Sequence, residues 1–519
     1  MSDKTETENQ LDINASDHEN SAGKNKKEVS LYKGFAFTSV GSIINIIALF
    51  AEAIIAVRLL AKVDYGIYVL LITVTNFVIM ATDFGCKISV TQLIASGKKD
   101  RQAVLTNSVM ALRILICLVM SALVWFGQGL LVRIDPTRGL LLYAAAIPAM
   151  YIAASIEQLL GGILKGFKQY DAAAIAQSVR SLTRVVLSIG LLVFFQLGIW
   201  ALVYSWIISF ALSAIYQYIK LPVSKRWTLN PPAIRDVLRF GFPIQLSAFL
   251  WYVSWQVHIL LLSTLAGPAS VALFDVANKI PSALHRFSES YISIFFPTMS
   301  SLLADKRYGQ ASWMLEQSLR LSSFVIGIGV LFSVLFSREI MGLLFSSEYA
   351  GTASAFSLLM VAFHMTFLVH LLGYTLTSAG YPEKSLVENS VRAVLSSIAG
   401  VLLIPIFNFL GAAVGQLIAN YAANPVALWL MRQTEIKVNV APFVKQTAIL
   451  LIFCIVGWFI GDMNIGLASS ISSRLGMIVL FIVSSFMLST VSQSDLHIVL
   501  PKSIIAKLGI RNPELSNVL

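Results

Sequence analysis

The chain has 519 residues, of which 57% are apolar and 13% charged. Soluble domains carry about 25% charged residues, and a chain this apolar could not cover its own surface in water. With a mean hydropathy of +0.76, the composition excludes an ordinary soluble protein and a disordered one, and fits a chain whose solvent is the bilayer. Cys86, Cys117 and Cys454 lie inside apolar stretches, which excludes a disulfide framework, a zinc cluster and a CxxC redox motif. The net charge of +11 would suggest nucleic acid in a soluble protein. In a membrane protein it is read first as topology, and no nucleic-acid partner is expected.

Residues 1–30 are rich in Asp, Glu and Lys with few large apolar side chains, and read as a disordered cytoplasmic tail. The segment is too long and acidic for the start of a cleaved signal peptide. Apolar runs of about 18 or more residues then recur, each able to cross roughly 30 Å of hydrocarbon. About fourteen are predicted, near 34–57, 66–94, 103–126, 139–164, 172–195, 198–219, 240–264, 270–303, 312–336, 352–379, 386–408, 411–431, 446–461 and 475–492. Leu and Ile dominate them, with Gly, Ala and Ser mixed in as close packing in lipid requires. The short alternating segments of a membrane β-barrel are absent. The predicted fold is an all-α integral membrane protein.

With the N-terminus inside, the predicted inner tails and loops hold 24 of the 38 Lys and Arg residues, the outer loops six and the spans eight. That bias sets the orientation, and an even number of spans puts both termini in the cytoplasm.

An internal repeat is also legible. Lys98-Lys99-Asp100-Arg101-Gln102-Ala103 followed by Leu112-Arg113 matches Lys306-Arg307-Tyr308-Gly309-Gln310-Ala311 followed by Leu319-Arg320. Ser178-Val179-Arg180 matches Ser390-Val391-Arg392, Leu197-Gly198 matches Leu410-Gly411, and Leu60-Ala61 matches Leu265-Ala266 more weakly. The four matches keep their order at similar offsets. They relate six spans to the next six, so the two halves should be parallel repeats about an axis along the membrane normal. The predicted organisation is an N-lobe at 31–219, a basic, proline-bearing cytoplasmic linker at 220–239 and a C-lobe at 240–435. An extra helix pair at 436–495 and a cytoplasmic tail at 496–519 complete it.

Within the spans lie the basic residues Lys87, Arg113, Arg180, Arg184, Lys279, Arg286, Arg320 and Arg392, and the acidic residues Glu52, Asp83, Glu157, Asp275 and Glu289, read as an excess of three positive charges. Ionisable groups in hydrocarbon are costly and need a reason. Arg180 and Arg184 share a helix face at i,i+4, while Arg113 with Arg320 and Arg180 with Arg392 are repeat mates. Pointing inward, they would make a basic cavity suited to phosphate or pyrophosphate, which arginine grips in a bidentate fork. The competing reading is charge neutralisation within helices: Asp83 with Lys87 and Asp275 with Lys279 at i,i+4, and Arg286 with Glu289 at i,i+3. Snorkelling to the head groups competes for Arg113, Arg180 and Arg392. Arg184 lies deeper and has no acid at i±3 or i±4.

Other chemistries fail at the sequence. There is no GxxxxGK[ST] loop for an ATPase, no complete dinucleotide fingerprint and no arginine array for voltage sensing. His258, His285, His364 and His370 miss metal-ligand spacing and read as packing residues, as do Trp125, Trp251, Trp255 and Trp458, packed or at the interface. Pro148, Pro243, Pro281, Pro297 and Pro405 predict kinks. No resident metal or cofactor is expected.

Four motifs carry a family resemblance. Arg58-Leu59-Leu60-Ala61-Lys62-Val63-Asp64-Tyr65-Gly66-Ile67-Tyr68 resembles the R-L-L-G-x-x-D-Y-G-x-Y element of bacterial polysaccharide flippases, with Lys62 where glycine or proline is commoner. Asp83-Phe84-Gly85 resembles their D-x-G, Gly162-Ile163-Leu164-Lys165-Gly166 their G-x-L-[RK]-G, and Leu344-Phe345-Ser346-Ser347-Glu348-Tyr349 their L-F-x-x-x-Y loop. Over about residues 30–440 the chain is thus similar to the Wzx-type O-antigen and exopolysaccharide branch of the MOP exporter superfamily. The resemblance implies a MATE-like fold in the bacterial inner membrane. It implies flipping of undecaprenyl-pyrophosphate-linked oligosaccharide by alternating access, with a polysaccharide polymerase and a chain-length regulator as pathway partners. The five acids are candidates for coupling to a proton or sodium gradient. The rivals are a multidrug cation antiporter of the same superfamily, which would want an acidic cavity, and a membrane polymerase, which would want larger outer loops than this chain predicts.

Overall fold

The structure, a computed structural model, describes residues 44–96, 99–223, 228–461, 467–488 and 490. The tails predicted at 1–30 and 496–519 lie outside the described residues, among which there is no strand. In chain order the helices are α1 (44–59), α2 (Lys62–Thr82), α3 (Cys86–Ser96), α4 (Lys99–Phe126), the short α5 (Leu131–Ile134) and α6 (Gly139–Leu142), α7 (Ala146–Gly166), α8 (Tyr170–Val193) and α9 (Ile199–Lys220). They continue with α10 (Pro231–Ala266), α11 (Pro268–Ala304), α12 (Tyr308–Leu335), α13 (Ser337–Phe345), α14 (Ala353–Ser378), α15 (Pro382–Phe407), α16 (Phe409–Met431), α17 (Ala441–Gly461) and α18 (Leu467–Met487). Eleven helical segments among the described residues are long and apolar enough to cross a membrane. The 37-residue α11 is not one of them; it carries Asp275, Lys279, Arg286 and Glu289.

Two predicted boundaries differ from the structure for local reasons. The apolar run 66–94 is two helices, broken at Phe84 (φ 49°) and Gly85 (φ 75°). At that break the Gly85 backbone passes so close to α10 that an added Cβ would stand 2.2 Å from the Gly241 carbonyl oxygen. From Pro231 onward, the stretch read as a linker is the start of α10. The Asn230 side-chain oxygen accepts the Ala233 N–H at 3.0 Å, and Pro231 and Pro232 occupy the first turn, where a missing N–H costs nothing.

The described residues form two compact units, one drawn from within 44–53, 78–126 and 145–245, the other from within 54–77, 127–144 and 246–490. The first has a core of Val90, Ile94, Val109, Ile163, Leu164 and Val237. The second has one of Met299, Leu315, Leu368, Leu372, Leu430 and Phe443.

Each unit, taken by itself, repeats one pattern of neighbours. In the first, α7 packs on α3, α4 and α9, and α8 packs on α9; in the second, α14 packs on α11, α12 and α16, and α15 packs on α16. The turns repeat too. Gln169 before α8 (φ −85°, ψ 62°) corresponds to Tyr381 before α15 (φ −115°, ψ 58°). Gly198 before α9 (φ 55°, ψ −132°) corresponds to Asn408 before α16 (φ 56°, ψ −136°). Arg180 and Arg392 each stand ten residues after the first residue of their helix. The repeat predicted from short matches is therefore present in the backbone geometry of each unit taken by itself. Helices α17 and α18 pack on each other and on α12, outside the repeated pattern.

The motifs behind the resemblance are packing devices. Gly162 and Gly166 let α7 lie against α3, where Thr91 donates to the Gly162 carbonyl at 2.8 Å and a Cβ on either glycine would come within 2.9 Å of α3 backbone oxygens. Gly66 receives the Pro268 carbonyl, which a Cβ would meet at 1.9 Å. Arg58 Nη2 donates to Leu343 O at 2.6 Å, Lys62 Nζ lies 3.3 Å from Glu348, and Tyr349 is buried beside them. The first and fourth motifs thus clasp each other within the second unit.

Candidate functional site

The charged residues inside the helices come together as arginine–carboxylate pairs. In the first unit, Arg113 on α4 is 1% exposed; its Nη1 donates to Thr82 O at 2.9 Å and its Nη2 lies 3.4 Å from Asp83. Asp83 sits in the left-handed break after α2, so the D-x-G motif delivers its carboxylate to the next helix. Lys87, the i+4 partner predicted for Asp83, has an exposed side chain and meets Asp83 only through its backbone N–H, at 3.5 Å.

On α8, Arg180 Nη1 donates to Glu157 of α7 at 2.8 Å, and Ser213 Oγ and Gln217 Nε2 of α9 donate to the same carboxylate oxygen at 3.0 and 3.2 Å. One helical turn on, Arg184 Nε meets Glu52 of α1 at 2.8 Å, and Ser188 Oγ donates to Glu52 at 3.1 Å. The two guanidinium groups also lie over Phe210 and Trp206 of α9, 4.9 and 5.1 Å from the ring centroids. The i,i+4 face read from the sequence therefore exists, with an acid from a different helix for each arginine.

In the second unit, Lys279 Nζ meets Asp275 at 2.7 Å, as the i,i+4 spacing predicts, and Tyr65 adds a hydroxyl to Asp275 at 2.8 Å. Arg392 is buried; it donates to Asn389 and lies 3.7 Å from Glu388 on its own helix. Arg286 and Glu289 are exposed on α11, and Arg320 is half-buried on α12.

Sequence reasoning missed Glu388 and Glu316, which lie inside the predicted spans 386–408 and 312–336, so the excess of basic residues in the spans is one and not three. Glu388 was findable by its i,i+4 spacing to Arg392. The Glu52–Arg184 and Glu157–Arg180 pairs, separated by 132 and 23 residues, carried no such signal.

Paired buried charges make each other tolerable, while one left alone is expensive. Arg180 places only Nη1 on Glu157, and a guanidinium has five donors for further acceptors. A double-mutant cycle of Arg180→Ala and Glu157→Gln should show coupling of about 0.5–3 kcal/mol in the unfolding of the detergent-solubilised protein. Additive effects would mean that the pair is not formed. His258 and His364 are enclosed and bonded to Ser396 and Ser323 at 2.8 and 2.9 Å, packing roles in keeping with their scattered spacing.

Residues 31–303, more than half of the chain, match the family described as polysaccharide biosynthesis protein. The chain belongs to that family. A relative, the probable low-salt glycan biosynthesis flippase Agl15 of Haloferax volcanii, is 25% identical over 71% of this chain and 76% of its own length. The uncharacterised membrane protein MJ1068 of Methanocaldococcus jannaschii is 24% identical over 54% of this chain and 58% of its own length. Among solved structures, the lipid II flippase MurJ in an inward closed conformation superposes with a TM-score of 0.67, covering 87% of this chain and 98% of its own at 13% identity. An inward-facing MATE multidrug transporter of the MOP superfamily gives 0.60, covering 77% and 94% at 17% identity. The fold is the one these solved transporters share: all-helical, with one pattern of helix neighbours in each unit.

Proposed function

We propose that this polysaccharide biosynthesis protein is a flippase that carries a lipid-linked oligosaccharide from the inner to the outer leaflet by alternating access. The observation that carries the reading is membership of that family together with the alignment to a glycan biosynthesis flippase over 71% of the chain. The carrier lipid we propose is undecaprenyl pyrophosphate, in the bacterial inner membrane. Lys87, Arg113, Arg180 and Arg184 of the first unit, and Lys279, Arg286, Arg320 and Arg392 of the second, are the proposed contacts to its phosphates. Glu52, Asp83, Glu157, Asp275 and Glu289 are proposed to couple transport to a proton or sodium gradient. A polysaccharide polymerase and a chain-length regulator would act on the product, and the protein itself makes or breaks no covalent bond.

In a strain lacking the protein, the lipid-linked oligosaccharide should accumulate on the cytoplasmic leaflet, and proteoliposomes of the purified chain should restore access to it from the opposite face. Efflux of organic cations without movement of the lipid-linked sugar would replace this reading with that of a multidrug antiporter. We further propose that both termini are cytoplasmic. A phosphatase fused after Ser347 should be active in intact cells and one fused after Lys306 silent, following the 24-to-6 basic bias. The reverse pattern would overturn the orientation.

A further inference from the structure

The second unit holds a cluster that the charge pairs do not use. Trp251 and Trp255 of α10 stack with ring centroids 6.1 Å apart and planes 12° from parallel. His285 of α11 stacks against both, at 5.6 and 5.2 Å, and His370 of α14 lies 4.9 Å from His285. Tyr374, one turn along α14, meets His370 edge-on at 6.4 Å and is 40% exposed. Trp251 Nε1 donates to His370 Nε2 at 3.1 Å. An indole N–H only donates, so His370 Nε2 is the acceptor, which fixes the imidazole in its neutral form with the proton on Nδ1.

Three rings of this wall, Trp251, Trp255 and Tyr374, keep part of their surface open, while the polar groups behind them are enclosed. Two of those groups lack any partner: His285 Nδ1 and Arg392 Nε. Arg392 is within electrostatic reach of both histidines. The charges around the wall cancel, Arg286 and Arg392 against Glu289 and Glu388, so it suits a ring without net charge. A pyranose fits this chemistry. Its C–H face lies flat on an aromatic ring, and its equatorial hydroxyls supply both donors and acceptors at the edge.

We infer that Trp251, Trp255 and Tyr374 form a docking wall for a neutral hexopyranose unit of the cargo, backed by the enclosed His285 and Arg392. This rests on the flippase reading and deepens it, because it assigns recognition of the sugar to residues apart from those proposed for the phosphates.

The test compares binding of undecaprenyl pyrophosphate, bare or carrying a hexose-containing oligosaccharide, to the full-length protein in nanodiscs. Wild type should bind the glycosylated lipid about tenfold more tightly than the bare one, the worth of one good aromatic contact. Trp255→Leu and Trp251→Leu should lose that preference while binding the bare lipid as wild type does, which also shows that they are folded. Trp255→Tyr, which keeps an aromatic face, should retain most of the preference. Leucine variants that keep the full preference would overturn the wall and leave the flippase reading standing. A wild-type protein that binds neither lipid would overturn both. If a leucine variant fails to accumulate, His285→Ala, which removes the ring stacked on both indoles, decides: loss of the preference with the bare lipid bound as in wild type supports the wall, and a full preference overturns it.

Discussion

Replacing Arg113 with methionine should remove most of the folded protein from the membrane, and replacing Asp83 with asparagine in the same chain should bring it back. The guanidinium is 1% exposed and holds both the Asp83 carboxylate and the Thr82 carbonyl at the end of α2. Removing it leaves a carboxylate uncompensated in the protein interior, a loss of about 3–5 kcal/mol where buried pairs are broken one-sidedly. That is a large fraction of the roughly 5–15 kcal/mol by which a domain is stable. Removing both charges takes away the penalty together with the attraction, so the double variant should lie within about 1–2 kcal/mol of wild type. Membrane protein level and thermal unfolding in detergent measure both effects. If Arg113→Met accumulates and unfolds as wild type does, Arg113 is not a structural tie.

Gly85→Ala should be nearly as damaging, for a steric reason. Position 85 has φ 75°, where a Cβ is strained whatever the space, and the new atom would lie 2.2 Å from Gly241 O and 2.3 Å from Gly241 C. Both obstacles are backbone and cannot swing aside. Left-handed strain of about 1 kcal/mol and overpacking of about 1–3 kcal/mol add at one site. The misplaced turn would also withdraw Asp83 from Arg113. Gly129→Ala, where a Cβ meets nothing within 4 Å, should behave as wild type and serves as the control. A fully stable Gly85→Ala protein would mean that α3 and α10 are less closely packed than 2.2 Å implies.

Composition and hydropathy determined by themselves that this is a helical membrane protein, because a bilayer admits few ways to satisfy a backbone. Short matches near Arg113, Arg180 and Gly198 disclosed the repeat, since turns and caps impose local sequence requirements at each copy. The i,i+4 rule found Lys279 with Asp275, a contact set by helix geometry alone. Asp83 went to Arg113 and not to Lys87 because a left-handed turn at Phe84 and Gly85, lying against Gly241 of α10, breaks the helix between Asp83 and Lys87. Only the tertiary structure decided that Arg184 has a partner: Glu52 lies 132 residues away, and no periodicity connects positions brought together by the packing of α1 on α8. The aromatic cluster was invisible for the same reason. Trp251, His285 and His370 come from three helices, each an ordinary packing residue in its own segment, and they become a surface only when the helices pack side by side.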